Sequence, residues 1–295
     1  MNSYICDYAD FMKNTGRKSV NTVESYTRDI IQYTKFLTDL GITDIKNTTK
    51  TTVTAYITEL HNKGRSNATV SRMLAAVRSF YVFLMENGKI SDDPTAELSM
   101  PHIEKKPPMV LSGDEIELLL SQPKLTDSIG IRDKAMLELL YATGIRVSEL
   151  IGLDVTAIDL TRGFVRCKNN RGERTIPLGA KAVDALRIYT GKARMGMLAI
   201  ESEQALFVNR NGSRISRQGF WKIIKKYKES AGIKQDITPH SLRHSFAAHL
   251  IENGADLESL RAMMGHADIS STQIYEAFVN DKIRNVYNKT HPRAV

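Results

Sequence analysis

Prolines at positions 94, 101, 107 and 108, set in charged and polar sequence from Asp92 to Pro108, constrain this chain more than any other feature. Proline lacks the N–H that a helix or central strand requires, and its ring clashes with the preceding turn. Charge keeps such a segment hydrated. The chain of 295 residues is therefore expected to form two domains, 1–98 and 110–295, joined by a linker at 99–109.

Before the linker, apolar residues recur at helical spacing and never alternate. Asn21 with Glu24 predicts a helix start ahead of Val23, Tyr26, Ile30 and Leu37. Val53, Tyr56, Ile57 and Leu60 predict a second helix. Val70, Met73, Leu74, Val77, Phe80, Tyr81 and Leu84 form the strongest stripe, stopped by Asn87-Gly88. After the linker, Ser112 and Glu115 make a capping box, and a helix from Arg132 to Tyr141 stops at Gly144. Strands are expected at Val155–Leu160, Phe164–Lys168 and Arg174–Leu178, with glycine-bearing hairpin turns between them. Helices return near Lys181–Thr190, Gln218–Ser230 and Ser241–Glu252, the last capped by Asn253-Gly254. The fold class is mainly α: a helical first domain, then an α-rich domain with one small antiparallel sheet.

The net charge of +8 leans toward a polyanionic partner, because neutralising phosphates releases counterions. Two cysteines, Cys6 and Cys167, are too few for a disulfide framework and fit a reducing cytoplasm. The first residues lack the basic and apolar regions of a signal peptide. No apolar run approaches the ~18 residues that span a bilayer, so no membrane partner is expected.

The chemistry concentrates late in the chain. In Thr238-Pro239-His240-Ser241-Leu242-Arg243-His244, His240 and Arg243 share a helical face, and Pro239 suits a helix start. His240 and His244 also have an i, i+4 metal spacing, but Ser241 stands where a zincin would need Glu. Gly265 permits a sharp turn that presents His266. Tyr275 lies in the polar string Ser270-Ser271-Thr272-Gln273-Ile274-Tyr275. Arg146, in Ala142-Thr143-Gly144-Ile145-Arg146-Val147-Ser148-Glu149-Leu150, needs a partner if buried; Glu149 and a bound phosphate are the two choices. Two arginines, two histidines and a tyrosine suit a phosphodiester: cations for phosphate oxygens, proton carriers, and a phenol to attack phosphorus.

These strings, in the order Arg, His-x-x-Arg, His, Tyr, resemble the tyrosine recombinases of the phage integrase family. The nine-residue step from His266 to Tyr275 fits as well. The resemblance covers the whole chain and is closest to the compact Xer-type members. It implies a helical, SAM-like core-DNA-binding domain and a catalytic domain with a C-terminal tail, together forming a C-shaped DNA clamp. It implies Tyr275 as nucleophile, Arg146 and Arg243 on the non-bridging oxygens, His240 in proton transfer and His266 on the phosphate. Lys168 would protonate the leaving 5′-oxygen. The turn from Lys168 to Arg174 is about one residue longer than the family's usual turn, which makes Arg171 a second candidate for that phosphate contact. Arg65 and Arg72, leading the third helix, and Arg171 and Arg174 would touch DNA. No metal or other cofactor is required, because arginines supply the charge. The implied partners are double-stranded DNA and a homo- or hetero-tetramer on two recombination sites, with a second Xer-type recombinase in the hetero form. Ile283, Val286 and Tyr287 in the tail would pack on a neighbouring protomer. The implied role is chromosome-dimer resolution; the alternatives are a short integrase of a mobile element, or a relative that binds DNA without cutting it.

Overall fold

The computed structural model describes residues 1–15, 19–102, 108–169 and 172–265. The chain separates into two compact units, Met1–Lys106 and Pro107–Val295.

The first unit contains helices α1 (Asn2–Asn14), α2 (Val20–Asp39), α3 (Lys50–Asn62) and α4 (Asn67–Glu86). All seven residues of the strongest predicted stripe are buried on α4, together with Ala76 and Phe83. Burial on so wide an arc makes α4 the centre around which α1, α2 and α3 pack. It is also the one described helix long and apolar enough to cross a membrane, and 56% of that stretch is buried inside the protein. Beside it, the buried hydroxyls of Tyr33 and Tyr81 share a 2.9 Å hydrogen bond, and the Tyr8 ring meets Phe80 edge-on at 5.3 Å.

Two elements differ from expectation. α1 was not anticipated, although Ile5, Tyr8 and Met12 fall on one helical face and are buried. α2 begins at Val20 rather than Asn21, because the Ser19 hydroxyl accepts the Thr22 N–H at 3.2 Å and satisfies a donor the helix would otherwise orphan. Past α4 the chain folds back along it. Asn67 Nδ2 donates to the His102 carbonyl at 3.1 Å and Ser71 Oγ to that of Pro101 at 3.2 Å. Arg78 donates to the carbonyls of Thr95 and Leu98.

The second unit opens with α5 (Gly113–Ser121), which has the expected Ser112–Glu115 capping box, then α6 (Ser128–Thr143) and α7 (Val147–Gly152). α6 starts four residues before Arg132, since Asp127 Oδ1 accepts the Gly130 N–H at 2.7 Å. Met136, Leu137, Leu139 and Leu140 are all fully buried, so α6 is the spine of this unit. Gly144 ends it in the left-handed conformation at φ +56°.

The sheet has order β1 (Ile158–Asp159), β2 (Phe164–Asn169), β3 (Gly172–Pro177), all antiparallel. β1 is much shorter than expected. The Val155 and Ala157 N–H groups bond to the Gln204 and Asp154 carbonyls instead, winding Val155–Ala157 into a 3-10 turn. The β2–β3 ladder runs further than expected, to Asn169↔Gly172; Gly172 reaches φ 135°, which favours glycine. The remaining helices are α8 (Ala180–Ile188), α9 (Arg217–Ser230), α10 (Pro239–Glu252) and α11 (Leu257–Met264). α10 packs on both α6 and α11, and α11 on β3. The C-terminus of α11 therefore meets the α6–α7 turn, the start of α10 and the sheet.

Candidate active site

Three arginines converge on the end of α11. Arg243, on the second turn of α10, is only 4% exposed. It donates through Nη1 to the Gly144 carbonyl and through Nη2 to that of Met264 at 2.8 Å. Arg146 occupies the N-cap of α7. Its backbone N–H donates to Glu149 Oε2 at 2.8 Å, and its Nη2 to the Gly265 carbonyl at 3.2 Å. Arg174, on β3, donates through Nε to the Met263 carbonyl at 2.8 Å. Carbonyls 263, 264 and 265 thus take one guanidinium each. The last carbonyls of a helix have no partner within it and carry the negative end of its dipole, so cations are favoured there. Gly265 makes the convergence possible. It turns the chain at φ +61°, and a Cβ there would lie 2.8 Å from Arg174 Cζ.

Glu149 lies beneath this cluster, with its side chain 5% exposed. Arg174 holds it in a two-pronged contact, Nη1 to Oε1 at 2.7 Å and Nη2 to Oε2 at 2.9 Å. Arg146 Nη1 is farther from the carboxylate, 3.6 Å from Oε1. Burial opposes the Arg174 charge, but the hydrogen bonds and charge of Glu149 outweigh it and raise the arginine's pKa. Of Arg146 and its two candidate partners, the structure contains the Glu149 contact, while 38% of the arginine side chain stays exposed.

α10 starts as its sequence requires: Thr238 caps it in a box with Ser241, and Pro239 takes the first turn. His240 follows, solvent-exposed yet in crowded, cationic surroundings. Partial burial, then the charges of Arg243, Arg146 and Arg217, hold its pKa below the ordinary histidine value. His244, a turn further in, is pushed down to about 4 by burial, then by His240 and Arg243. Both rings are thus neutral near pH 7. No group of three His, Cys, Asp or Glu that could hold a metal occurs among the described residues.

Lys168 is exposed near the end of β2, opposite Glu173, next to the buried Cys167. Arg65 is exposed just before Ser66, the N-cap of α4. Arg72 pairs with the buried Asp29 while 44% of its side chain remains exposed. Arg174 departs from the DNA contact expected of it: its guanidinium is turned inward and is occupied by Glu149 and Met263. His266, Tyr275 and Arg171, and the tail residues Ile283, Val286 and Tyr287, lie outside the described residues. Sequence reasoning missed Arg217, whose charge acts on His240; its place at the start of α9 gave no pointer to a histidine 23 residues later.

An arrangement of two guanidiniums on one turn, one of them partly exposed, beside a neutral imidazole, can bind a phosphate and accept a proton near it. Comparison with known proteins agrees with this chemistry. Residues 109–281 match the profile of the Phage integrase family, and residues 5–88 that of the Phage integrase N-terminal SAM-like domain. The chain is 43% identical over 297 residues to Tyrosine recombinase XerD of Halalkalibacterium halodurans, covering 100% of this chain and 99% of that protein. It is likewise 43% identical to Tyrosine recombinase XerD of Staphylococcus epidermidis, covering 100% of both. Among solved structures, XerA recombinase aligns with TM-score 0.56 and 26% identity over 99% of each chain. XerH bound to a difH substrate shares the fold, with TM-score 0.71 and 19% identity over 90% of this chain and 79% of that one.

Proposed function

The chain belongs to the phage integrase family of tyrosine recombinases, site-specific enzymes that work through a phosphotyrosyl intermediate, and we propose that Tyr275 is the residue that carries it. The Tyr275 oxygen attacks the scissile phosphorus, the bond to the 5′-oxygen breaks, and a 3′-phosphotyrosyl link and a free 5′-hydroxyl result. The energy of the broken bond is kept in the new one, so rejoining needs no nucleotide. A phenol of pKa ~10 is a weak nucleophile at neutral pH and must lose its proton as it attacks. His240 accepts that proton; its lowered pKa supports the role, since only the neutral ring can do so. Arg146 and Arg243 bind the non-bridging oxygens, where charge grows in the transition state. His266 donates to the same phosphate, and Lys168 gives its proton to the departing 5′-oxygen.

One observation carries this reading: Arg146 and Arg243, 97 residues apart in sequence, are held by adjacent carbonyls of one turn. The residue that follows this turn is His266. Residues 1–98 would bind the core DNA, with Arg65 and Arg72 facing it, and residues 110–295 would carry the chemistry, with Arg171 as a further phosphate contact. The partners are double-stranded DNA and three further protomers, so that a tetramer forms on two sites in the cytoplasm. Similarity along the whole chain to relatives named XerD supports an Xer-type role in resolving chromosome dimers, with a second recombinase of the same kind in the tetramer.

The test is covalent trapping. The protein is incubated with a nicked suicide duplex carrying a site it has itself selected from a random-sequence library, then denatured. A protein–DNA adduct in wild type that is absent in Tyr275→Phe is the expected result. An adduct that survives in Tyr275→Phe removes Tyr275 as nucleophile, and bound DNA that never yields an adduct refutes cleavage.

A further inference from the structure

Arg174 has no contact with DNA in the proposed chemistry, yet its guanidinium is built into the site. From its placement we infer that Arg174 is a positioning residue of the active site, the close counter-charge of Glu149 that leaves the Arg146 guanidinium only loosely paired and open to phosphate. This rests on the proposal that Arg146 binds the scissile phosphate.

The geometry is that of two cations sharing one anion. The Glu149 carboxyl accepts the Arg146 backbone N–H at 2.8 Å and the two Arg174 bonds at 2.7 and 2.9 Å. A buried carboxylate needs a cation. Were Arg146 the nearest one, its guanidinium would be drawn onto Glu149 and its charge spent there. Arg174 takes that position instead, in the planar two-pronged geometry available only to arginine. Arg146 Nη1 is left at 3.6 Å. Of the two arginines about Glu149, the more loosely paired is also the more exposed: the Arg146 side chain is 38% exposed and that of Arg174 13%.

Arg174 also joins three parts of the site through one side chain. Its strand pairs with β2 so that Arg174 faces Cys167, the residue before Lys168. Its Nε holds the Met263 carbonyl, and its guanidinium covers Gly265, where a Cβ would come within 2.8 Å of Nη1. The strand bearing Lys168, the Arg146 turn and the turn that leads to His266 are thereby set against one another.

The experiment measures single-turnover adduct formation on two nicked duplexes, one with an ordinary scissile phosphate and one with a methylphosphonate there. In the second, a methyl replaces one charged oxygen, so the demand for the Arg146 charge falls. Arg174→Met is expected to slow cleavage of the ordinary phosphate about 10–100-fold, the loss seen when a partner that orients a metal-binding side chain is removed, taken here as the scale for one that orients a phosphate-binding side chain. DNA affinity should be unchanged. On the methylphosphonate the defect should largely vanish, and adding Glu149→Gln to Arg174→Met should restore much of the lost rate by removing the anion that captures Arg146. If Arg174→Met melts too early to assay, Arg174→Lys, which keeps the charge but cannot make the two-pronged contact, should show a smaller loss with the same substrate dependence. Equal slowing on both substrates would mean that Arg174 only holds the fold, and undiminished cleavage would mean that it does neither; both overturn the inference alone. Wild type that forms no adduct on either duplex overturns the phosphotyrosyl reading, and this inference with it.

Discussion

Replacing Gly144 by alanine should cost far more than replacing a glycine of the same backbone conformation elsewhere in the same unit. At φ +56° an alanine enters the left-handed region, at roughly 1–2 kcal/mol. Its Cβ would also lie 2.2 Å from Phe246 Cδ1 and 2.6 Å from Cε1, against the ~3.5–4.0 Å of a comfortable carbon contact. Phe246 is 6% exposed, in a cluster with Ala247, Ile251, Leu260 and Met264. Its ring can yield only by overpacking that cluster, which adds about 1–3 kcal/mol. Together the two costs come to about 2–5 kcal/mol, a large part of an ordinary domain's stability. Gly232, at φ +66° with nothing within 4 Å of a built Cβ, supplies the backbone cost alone. Urea unfolding followed by the fluorescence of Trp221, the chain's single tryptophan and a residue of α9, reads both variants in the unit where they lie. Gly144→Ala should be the less stable by at least about 1 kcal/mol, and Phe246→Leu should recover part of the loss in a double-mutant cycle. Adduct formation should fall too, because the Gly144 carbonyl holds Arg243. Equal costs at 144 and 232 would refute the argument that Phe246 fills this space.

Three further outcomes are expected. Lys168→Ala should slow cleavage of ordinary DNA but spare a substrate with sulfur in place of the 5′-bridging oxygen, because a thiolate leaves without a proton; equal slowing removes Lys168 as the acid. Ser245→Ala should cost about 1–3 kcal/mol in urea unfolding, since the buried Ser245 hydroxyl accepts the Leu111 N–H at 2.8 Å and nothing in alanine replaces it. His244 has a folded pKa of about 4 against 6.5 for the free side chain, so its contribution is complete above pH 6.5. As pH falls toward 4 the unfolded chain binds the extra proton and stability is lost. The loss by about pH 5 is on the order of 1–2 kcal/mol after allowing for solvent screening, and His244→Gln should flatten that part of the pH–stability curve.

Much of the fold was legible because it rests on local signals. The α4 stripe repeats at helical spacing and is buried as read, and the Ser112–Glu115 capping box is where its spacing puts it. The start of α2 was misread because Ser19 and Asn21 are both good caps and only the Thr22 hydrogen bond decides between them. β1 was overestimated because the carbonyls that divert Val155 and Ala157 belong to a distant loop and to the preceding turn, and sequence alternation does not register them. At the site, Arg146, His240 and Arg243 stood out as charged residues in recognisable strings. What surrounds them did not, because among the described residues the arginines reach backbone carbonyls distant in sequence, 119 residues away for Arg146 and 21 and 99 away for Arg243. Arg174 looked like any surface arginine on a strand; only its 25-residue separation from Glu149, closed by the sheet, reveals its inward role.

The convergence on carbonyls 263, 264 and 265 bears on how this site tolerates mutation. An acceptor supplied by a side chain is lost with one codon change, whereas a main-chain oxygen is present whatever residue occupies the position. Substitutions at Met263 and Met264 therefore leave the acceptors for Arg174 and Arg243 in place, provided that the replacement packs. The genetic vulnerability of the arginine cluster narrows to the arginines, to Glu149, and to the two glycines whose conformations bring the carbonyls to them, Gly144 and Gly265. Around these positions the exposed face of α11 is free to drift in sequence, with Leu260 and Met264 held by packing, while the guanidiniums the helix gathers stay where they are.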